Sequence, residues 1–296
     1  MTDIRRTTVQ LRDGRSLSYV ELGEPSGVPV LFTMGSPSSG VGGRSYSPSA
    51  QRQGIRLISI DKPGYGQSTR QRGRSLLSFG ADVRDLADAL DLDRVAIAGQ
   101  SGGGPHAAAA AHVLGDRVST LSLICSYGPV TEAWAADGHN SFMRATTVLA
   151  NRAPWLMWLP IGGVKLTLGT PDRAMKFMER SVAKLTVKER EDLLRPETRW
   201  ALEGISEAFD HGLGPVCDEF RALGRPWGFR LEDVAAPTDL WHGDSDKSCP
   251  IGMVREMAQR MPNATMHELA GVGHGFFGEE LDEAMATLSA RARTAL

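Results

Sequence analysis

Gly99-Gln100-Ser101-Gly102-Gly103 is the stretch on which the reading of this chain turns. It matches G-x-S-x-G, a pattern that carries meaning only where a strand ends before it and a helix opens behind it. Both conditions are met. Arg94–Ala98 reads as a strand on one side, and the alanine-rich Pro105–Leu114 reads as a helix on the other. A serine so placed sits on a sharp turn that small neighbours allow to close. Its hydroxyl stands at the C-terminal edge of a sheet, and the helix N-terminus behind it favours negative charge. Gly103 and Gly104 let the helix pack close to the sheet. Ser101 is therefore the candidate nucleophile.

Working outward, Thr8–Leu22 reads as a β-hairpin about Asp13-Gly14, a preferred tight-turn pair. The apolar stretches Val28–Thr33 and Val118–Cys125, and with them Ile55–Ile60, Thr238–His242 and Ala264–Leu269, read as further strands. Phe79–Leu92 places Val83, Leu86, Ala87 and Leu90 on one helical face. Another helix opens near Pro250, and a last one carries Leu281, Ala284, Met285 and Leu288 on one side. Strands alternating with helices predict βαβ units, hence an α/β fold with a mostly parallel sheet and helices on both faces. Between Gly128 and Pro237 the alternation stops. Residues 129–236 read as helical, with Thr170-Pro171 as an N-cap followed by proline and Thr186 with Glu189 as a capping box. The expected organisation is an α/β core of residues 1–128 and 237–296 with a helical cap, or lid, of residues 129–236.

With 296 residues the chain can bury a large core without disulfide or metal staples. Its 33 basic and 35 acidic side chains leave a formal charge of −2, which argues against nucleic acid as a partner. Cys125, Cys217 and Cys249 are far apart and form no CxxC pair, as expected of a protein in a reducing compartment. Met1–Val9 has no apolar h-region and no run of 18 apolar residues occurs, so the expectation is a cytoplasmic protein with no membrane partner. There is no HExxH pair, and no GK[ST] follows Gly102-Gly103-Gly104, so neither a metal nor a nucleotide cofactor is expected.

Four blocks, in this order, resemble the α/β-hydrolase family over nearly the whole chain. They are Met34-Gly35-Ser36-Pro37, the run Asp61-Lys62-Pro63-Gly64-Tyr65-Gly66-Gln67-Ser68, the turn at Ser101, and Gly243-Asp244-Ser245-Asp246 with Gly273-His274-Gly275. The family's triad runs serine, acid, histidine along the chain, which the resemblance places at Ser101, Asp246 and His274. The acid usually lies three residues after the strand-ending glycine, which favours Asp246. Asp244 is the alternative, read as capping the turn through its own backbone. The oxyanion hole needs two backbone N–H groups. The family places them at the residue after the nucleophile, here Gly102, and after the glycine of a His-Gly-x-Pro loop, here Ser36. This chain departs from the pattern with Met34 where histidine is usual. A serine nucleophile also separates it from the family's haloalkane dehalogenases and epoxide hydrolases, which use aspartate.

The other candidates have plainer readings. His274 lies in a glycine-rich loop that can carry an imidazole over the serine, whereas His242 sits inside a strand and reads as structural. His106 follows the turn and could line the pocket. Asp61–Ser68 reads as architectural. The aromatics of the cap, including Trp134, Phe142, Trp155, Trp158, Phe177, Trp200 and Phe209, read mostly as core, and its acids Glu203, Glu207, Asp210, Asp218 and Glu219 as a solvated face.

The expected function is a cofactor-independent serine hydrolase that cleaves a carboxylic ester of a small, largely apolar molecule through an acyl-enzyme. The same triad would serve a lactonase, an amidase or iminopeptidase, a thioesterase or a perhydrolase. A non-enzymatic small-molecule receptor on the same fold is the reading from a different class, since fold alone does not fix function.

Overall fold

A computed structural model of the chain describes residues 5–136, 140–180 and 187–294. The capping box expected at Thr186 and Glu189 lies outside the described residues. Eight strands form one sheet: β1 (Arg6–Gln10), β2 (Ser16–Gly23), β3 (Val28–Thr33), β4 (Ile55–Ile60), β5 (Val95–Gln100), β6 (Val118–Ile124), β7 (Thr238–Gly243) and β8 (Ala264–Leu269). Their spatial order is β1-β2-β4-β3-β5-β6-β7-β8. β1 and β2 form the expected antiparallel hairpin, β2 pairs antiparallel with β4, and every later pairing is parallel.

Alternation along the strands sorts side chains to two faces. Leu31, Ile58, Ile97 and Leu121 meet α2 (Leu76–Ala89) and α3 (Gly103–Leu114) in one core. Val30, Phe32, Leu57, Ala96 and Ala98 enter the other core, with Leu281, Ala284, Met285 and Leu288 of the last helix, Glu279–Thr294. α2 begins three residues before Phe79, where the sequence reading opens it, with Leu76 already buried and Ser75 as the cap: its side chain accepts from the Ser78 N–H at 3.1 Å, and the Ser78 hydroxyl accepts from the Ser75 N–H. Serine thus does what glutamate does in the usual box. Between β3 and β4 the structure adds a 3₁₀ stretch, Gly40–Tyr46, and helix α1, Ser47–Arg52, neither of which the apolar pattern announces.

Between β6 and β7 the described residues are helical: α4 (Ala133–Ala136), α5 (Ser141–Arg152), α6 (Trp158–Leu168), α7 (Pro171–Arg180), α8 (Val187–Leu193), α9 (Pro196–Glu207) and α10 (Gly214–Leu223). Thr170 caps α7 through a hydrogen bond from the Arg173 N–H at 3.3 Å. α9 lies on the 3₁₀ stretch, and the Ser39 N–H donates to Gly204 O at 3.0 Å. Two further helices, α11 (Ile251–Arg260) and α12 (Glu279–Thr294), complete the chain.

Candidate active site

Ser101 stands between β5 and α3 with a φ of +53°, a left-handed conformation uncommon for a residue with a Cβ. The turn is held through its backbone. The Ser101 N–H donates to Ile124 O at 2.8 Å, and Ser101 O accepts from Gly104 N at 2.9 Å and Tyr127 N at 3.3 Å. A Cβ on Gly104 would lie 1.9 Å from Ser126 Oγ, so only glycine lets the helix approach this closely.

Ser101 Oγ lies 2.9 Å from His274 Nε2, and His274 Nδ1 lies 2.8 Å from Asp246 Oδ2. The other carboxylate oxygen, Oδ1, accepts the N–H groups of Ser248 at 2.7 Å and Cys249 at 2.9 Å. An ionised carboxylate only accepts, so the ring proton sits on Nδ1 and the Nε2 lone pair faces the serine hydroxyl. Burial pushes the Asp246 carboxyl up, but the adjacent His274 and the hydrogen bonds to the carboxylate outweigh it and hold the group below its ordinary value.

Asp244, expected from sequence to cap its own turn, reaches across to the loop after β8. Its Oδ1 accepts the Gly271 N–H at 2.9 Å and the Ser245 hydroxyl at 3.0 Å. His242 has a closer relation to the site than its strand position implied. Its Nε2 lies 2.8 Å from Cys249 O and 3.4 Å from Asp246 Oδ2, so it braces the acid's loop. Burial lowers its pKa, against the pull of Asp246.

Ser36 and Gly102 abut. A Cβ built on Gly102 would lie 2.3 Å from Ser36 Oγ and 3.2 Å from Ser36 N. Gln100, the variable residue of the elbow, ties the two loops together by accepting the Gly35 N–H at 3.1 Å. His106 does not line an open pocket. It is buried and its Nδ1 lies 2.8 Å from Gly102 O, and burial drives its pKa to about 3, so it is neutral.

One reading of the region needs correction, and it concerns the acids of 129–236. Lys62, in the loop read as architectural, is wholly buried, and its ammonium lies 2.6 Å from Glu219 Oε1. Glu219 is therefore not on a solvated face; it also accepts the Ser36 hydroxyl at 2.6 Å and the Tyr65 hydroxyl. Burial pushes its carboxyl up, yet Lys62 and Arg74 hold it below the usual range. Asp218 is buried too, 2.7 Å from Arg70 Nε, and half-buried Glu207 lies 2.8 Å from Arg6. Among the aromatics of 129–236, Phe209 is core as expected, whereas Trp155, Trp158 and Phe177 are exposed.

Among the described residues two sets of donors lie close enough to hold a cation, Cys125, His242 and Asp246 in one and Asp246, Cys249 and His274 in the other. Both depend on Asp246, whose two oxygens already accept hydrogen bonds. Burial pushes Cys125 to about 12 and Cys249 upward as well, so neither thiol readily becomes the thiolate a metal needs. A cavity of about 500 Å³ between Trp134, Trp227, Phe229 and Arg260 is lined by none of Ser101, Asp246 and His274.

A family model described as alpha/beta hydrolase fold matches residues 28–281. The chain is 33% identical to a non-heme chloroperoxidase of Streptomyces lividans over 90% of its own length and 92% of the relative's. It is 24% identical to a non-heme chloroperoxidase of Burkholderia pyrrocinia, over 95% of this chain and 98% of the other. Among solved structures, an esterase from Exiguobacterium antarcticum superposes with a TM-score of 0.69 at 20% identity, covering 97% of this chain and 99% of that one. That last likeness is one of fold.

Proposed function

The chain belongs to the α/β-hydrolase fold family, and from that premise we propose that it is a cofactor-independent serine hydrolase acting on carboxylic esters. The observation that carries the reading is the unbroken hydrogen-bonded line from Ser101 Oγ through His274 to Asp246. Ser101 attacks the ester carbonyl while His274 Nε2 takes its proton. Asp246 keeps the imidazole in the required tautomer and stabilises the imidazolium. The N–H groups of Gly102 and Ser36 receive the oxyanion. His274 then protonates the leaving alkoxide, and water, activated by the same histidine, releases the acid and restores Ser101.

In this reading residues 129–236 are the cap over the serine. The substrate in this reading is small and largely apolar, as pockets under such caps mostly are. Three buried free thiols suit a cytoplasmic protein. A panel of p-nitrophenyl esters tests the reading. Wild type should turn over short esters without added metal and react with a fluorophosphonate, and folded Ser101→Ala should do neither. Wild-type-like turnover by that variant would refute it.

The chloroperoxidase relatives favour one second reading. With hydrogen peroxide replacing water, the same acyl-enzyme would release a peroxy acid. Peroxide-dependent halide oxidation in acetate buffer, abolished by Ser101→Ala, would select it.

A further inference from the structure

The Lys62 ammonium has three acceptors at short range: Met34 O at 2.7 Å, Gly35 O at 2.7 Å and Glu219 Oε1 at 2.6 Å. An ammonium has three N–H donors and no acceptor, so this set satisfies it. Ser36 Oγ, at 3.5 Å, stands outside the set. Two of the three partners are consecutive carbonyls of the loop that carries Ser36. The Gly35 carbonyl is moreover the far end of the peptide unit whose N–H belongs to Ser36. Glu219, on α10, holds the same residue through the same Oε1, which also accepts the Ser36 hydroxyl at 2.6 Å.

We propose that Lys62, clamped by Glu219, is a positioning residue for the oxyanion hole: it fixes the plane of the Gly35–Ser36 peptide and polarises it, which makes the Ser36 N–H a stronger donor. The inference rests on the hydrolase reading above. A charged donor on a carbonyl draws electron density from the amide and strengthens the hydrogen bond its N–H makes in turn, the more so away from water. The other half of the hole is arranged alike but with neutral donors. Ser101 O, in the same peptide as the Gly102 N–H, accepts from the amides of Gly104 and Tyr127. Lys62 is thus the ionic member of the pair.

The surrounding charges agree. Arg74, whose Nη1 donates to Pro63 O at 2.9 Å, adds a second buried cation near the Lys62–Glu219 pair. Asp61, the next carboxylate along, is engaged by Arg6 at 2.7 Å. Two cations against Glu219 leave positive charge behind the loop, the sign an oxyanion requires. The arrangement also accounts for Met34: the loop is braced through its carbonyls, so no histidine side chain is needed there.

The test compares Lys62→Met and the double variant Lys62→Met/Glu219→Leu, which removes both members of the ion pair together and leaves Arg74 its hydrogen bond to Pro63 O. Fluorophosphonate titration counts intact sites, and turnover of p-nitrophenyl butyrate is then expressed per titrated site. A role confined to folding would lower the number of sites and leave each at full rate. The proposal expects kcat per site to fall about tenfold or more, short of the ~10²–10³ for a donor removed outright. KM should change little, and affinity for a phenylboronic acid, which becomes a tetrahedral anion on the serine, should fall in parallel. A per-site kcat within about twofold of wild type in either folded variant would overturn it, as would loss of all titratable sites in both. Wild-type protein that neither reacts with the fluorophosphonate nor cleaves the ester would instead refute the hydrolase reading itself.

Discussion

Asp244 and Asp246 hold the same loop by different points: Asp244 Oδ1 accepts the Gly271 N–H at 2.9 Å, while Asp246 Oδ2 lies 2.8 Å from Nδ1 of His274. One carboxylate fixes where the loop begins and the other sets the tautomer of its imidazole. Asp246→Asn should therefore lower kcat by ~10⁴-fold, through the wrong tautomer, with the fold retained. Asp244→Asn should keep kcat within a few-fold and lower the melting temperature. Steady-state ester hydrolysis beside thermal melts of both variants decides it, and the opposite ranking would move the acid's role to Asp244.

Gly102→Ala tests the oxyanion geometry by steric means. The new Cβ would press within 2.3 Å of Ser36 Oγ and 2.6 Å of Ser36 Cβ, so the Ser36 loop must retreat. The expected loss in kcat is ~10²–10³ with Ser101 still present. Ser36→Gly removes both obstructing atoms, so combining it with Gly102→Ala should recover part of the rate. No recovery would place the damage elsewhere in the turn.

Stability should rise with pH across the window set by His106. Its folded pKa is about 3 against an ordinary 6.5, because burial excludes the cation, so between those values the unfolded chain binds a proton that the folded one refuses. Unfolding is favoured as pH falls through that range, at up to ~1.4 kcal/mol per pH unit for one proton. Buried His242 acts in the same direction. In His106→Asn, where the amide nitrogen can stand in for Nδ1, urea melts at pH 7 and pH 5 should differ by less than in wild type. An unchanged difference would refute the assignment.

Gly204→Ala should loosen α9 from the 3₁₀ stretch. A Cβ there would lie 2.5 Å from both Cα and N of Gly42, backbone atoms that cannot swing aside. Overpacking of this kind costs about 1–3 kcal/mol. Chemical denaturation measures it, and a cost near zero would mean that the two backbones can part freely.

The strands and the elbow were legible because their signals are local. Val28–Thr33 and Ile55–Ile60 match β3 and β4 residue for residue, since mostly apolar strands covered on both faces are bounded here by turn residues, Ser26-Gly27 and Met34-Gly35 around one and Gly54 and Asp61-Lys62-Pro63-Gly64 around the other. Ser101, Gly102, Ser36, Asp246 and His274 each lie in a short motif at a strand end, where the chain must turn and small residues show. Helix starts were less legible: at Ser75 the cap is serine answering serine, with no glutamate or glutamine at the third position to mark it.

What the sequence by itself determined was the order of elements and the residues at their ends, because periodicity and turn chemistry act over a few positions. Only the tertiary structure decided which distant groups meet. Ser101 and His274 are 173 positions apart, and Ser36 and Glu219 are 183 apart. Nothing in the run around Glu219 distinguishes a solvated acid from a buried one. Its burial is decided by α10 packing against the loop after β4, where Lys62 and the hydroxyls of Ser36 and Tyr65 offset the loss of water. A charge is affordable inside a protein only where its partners converge, and convergence is a property of the folded chain.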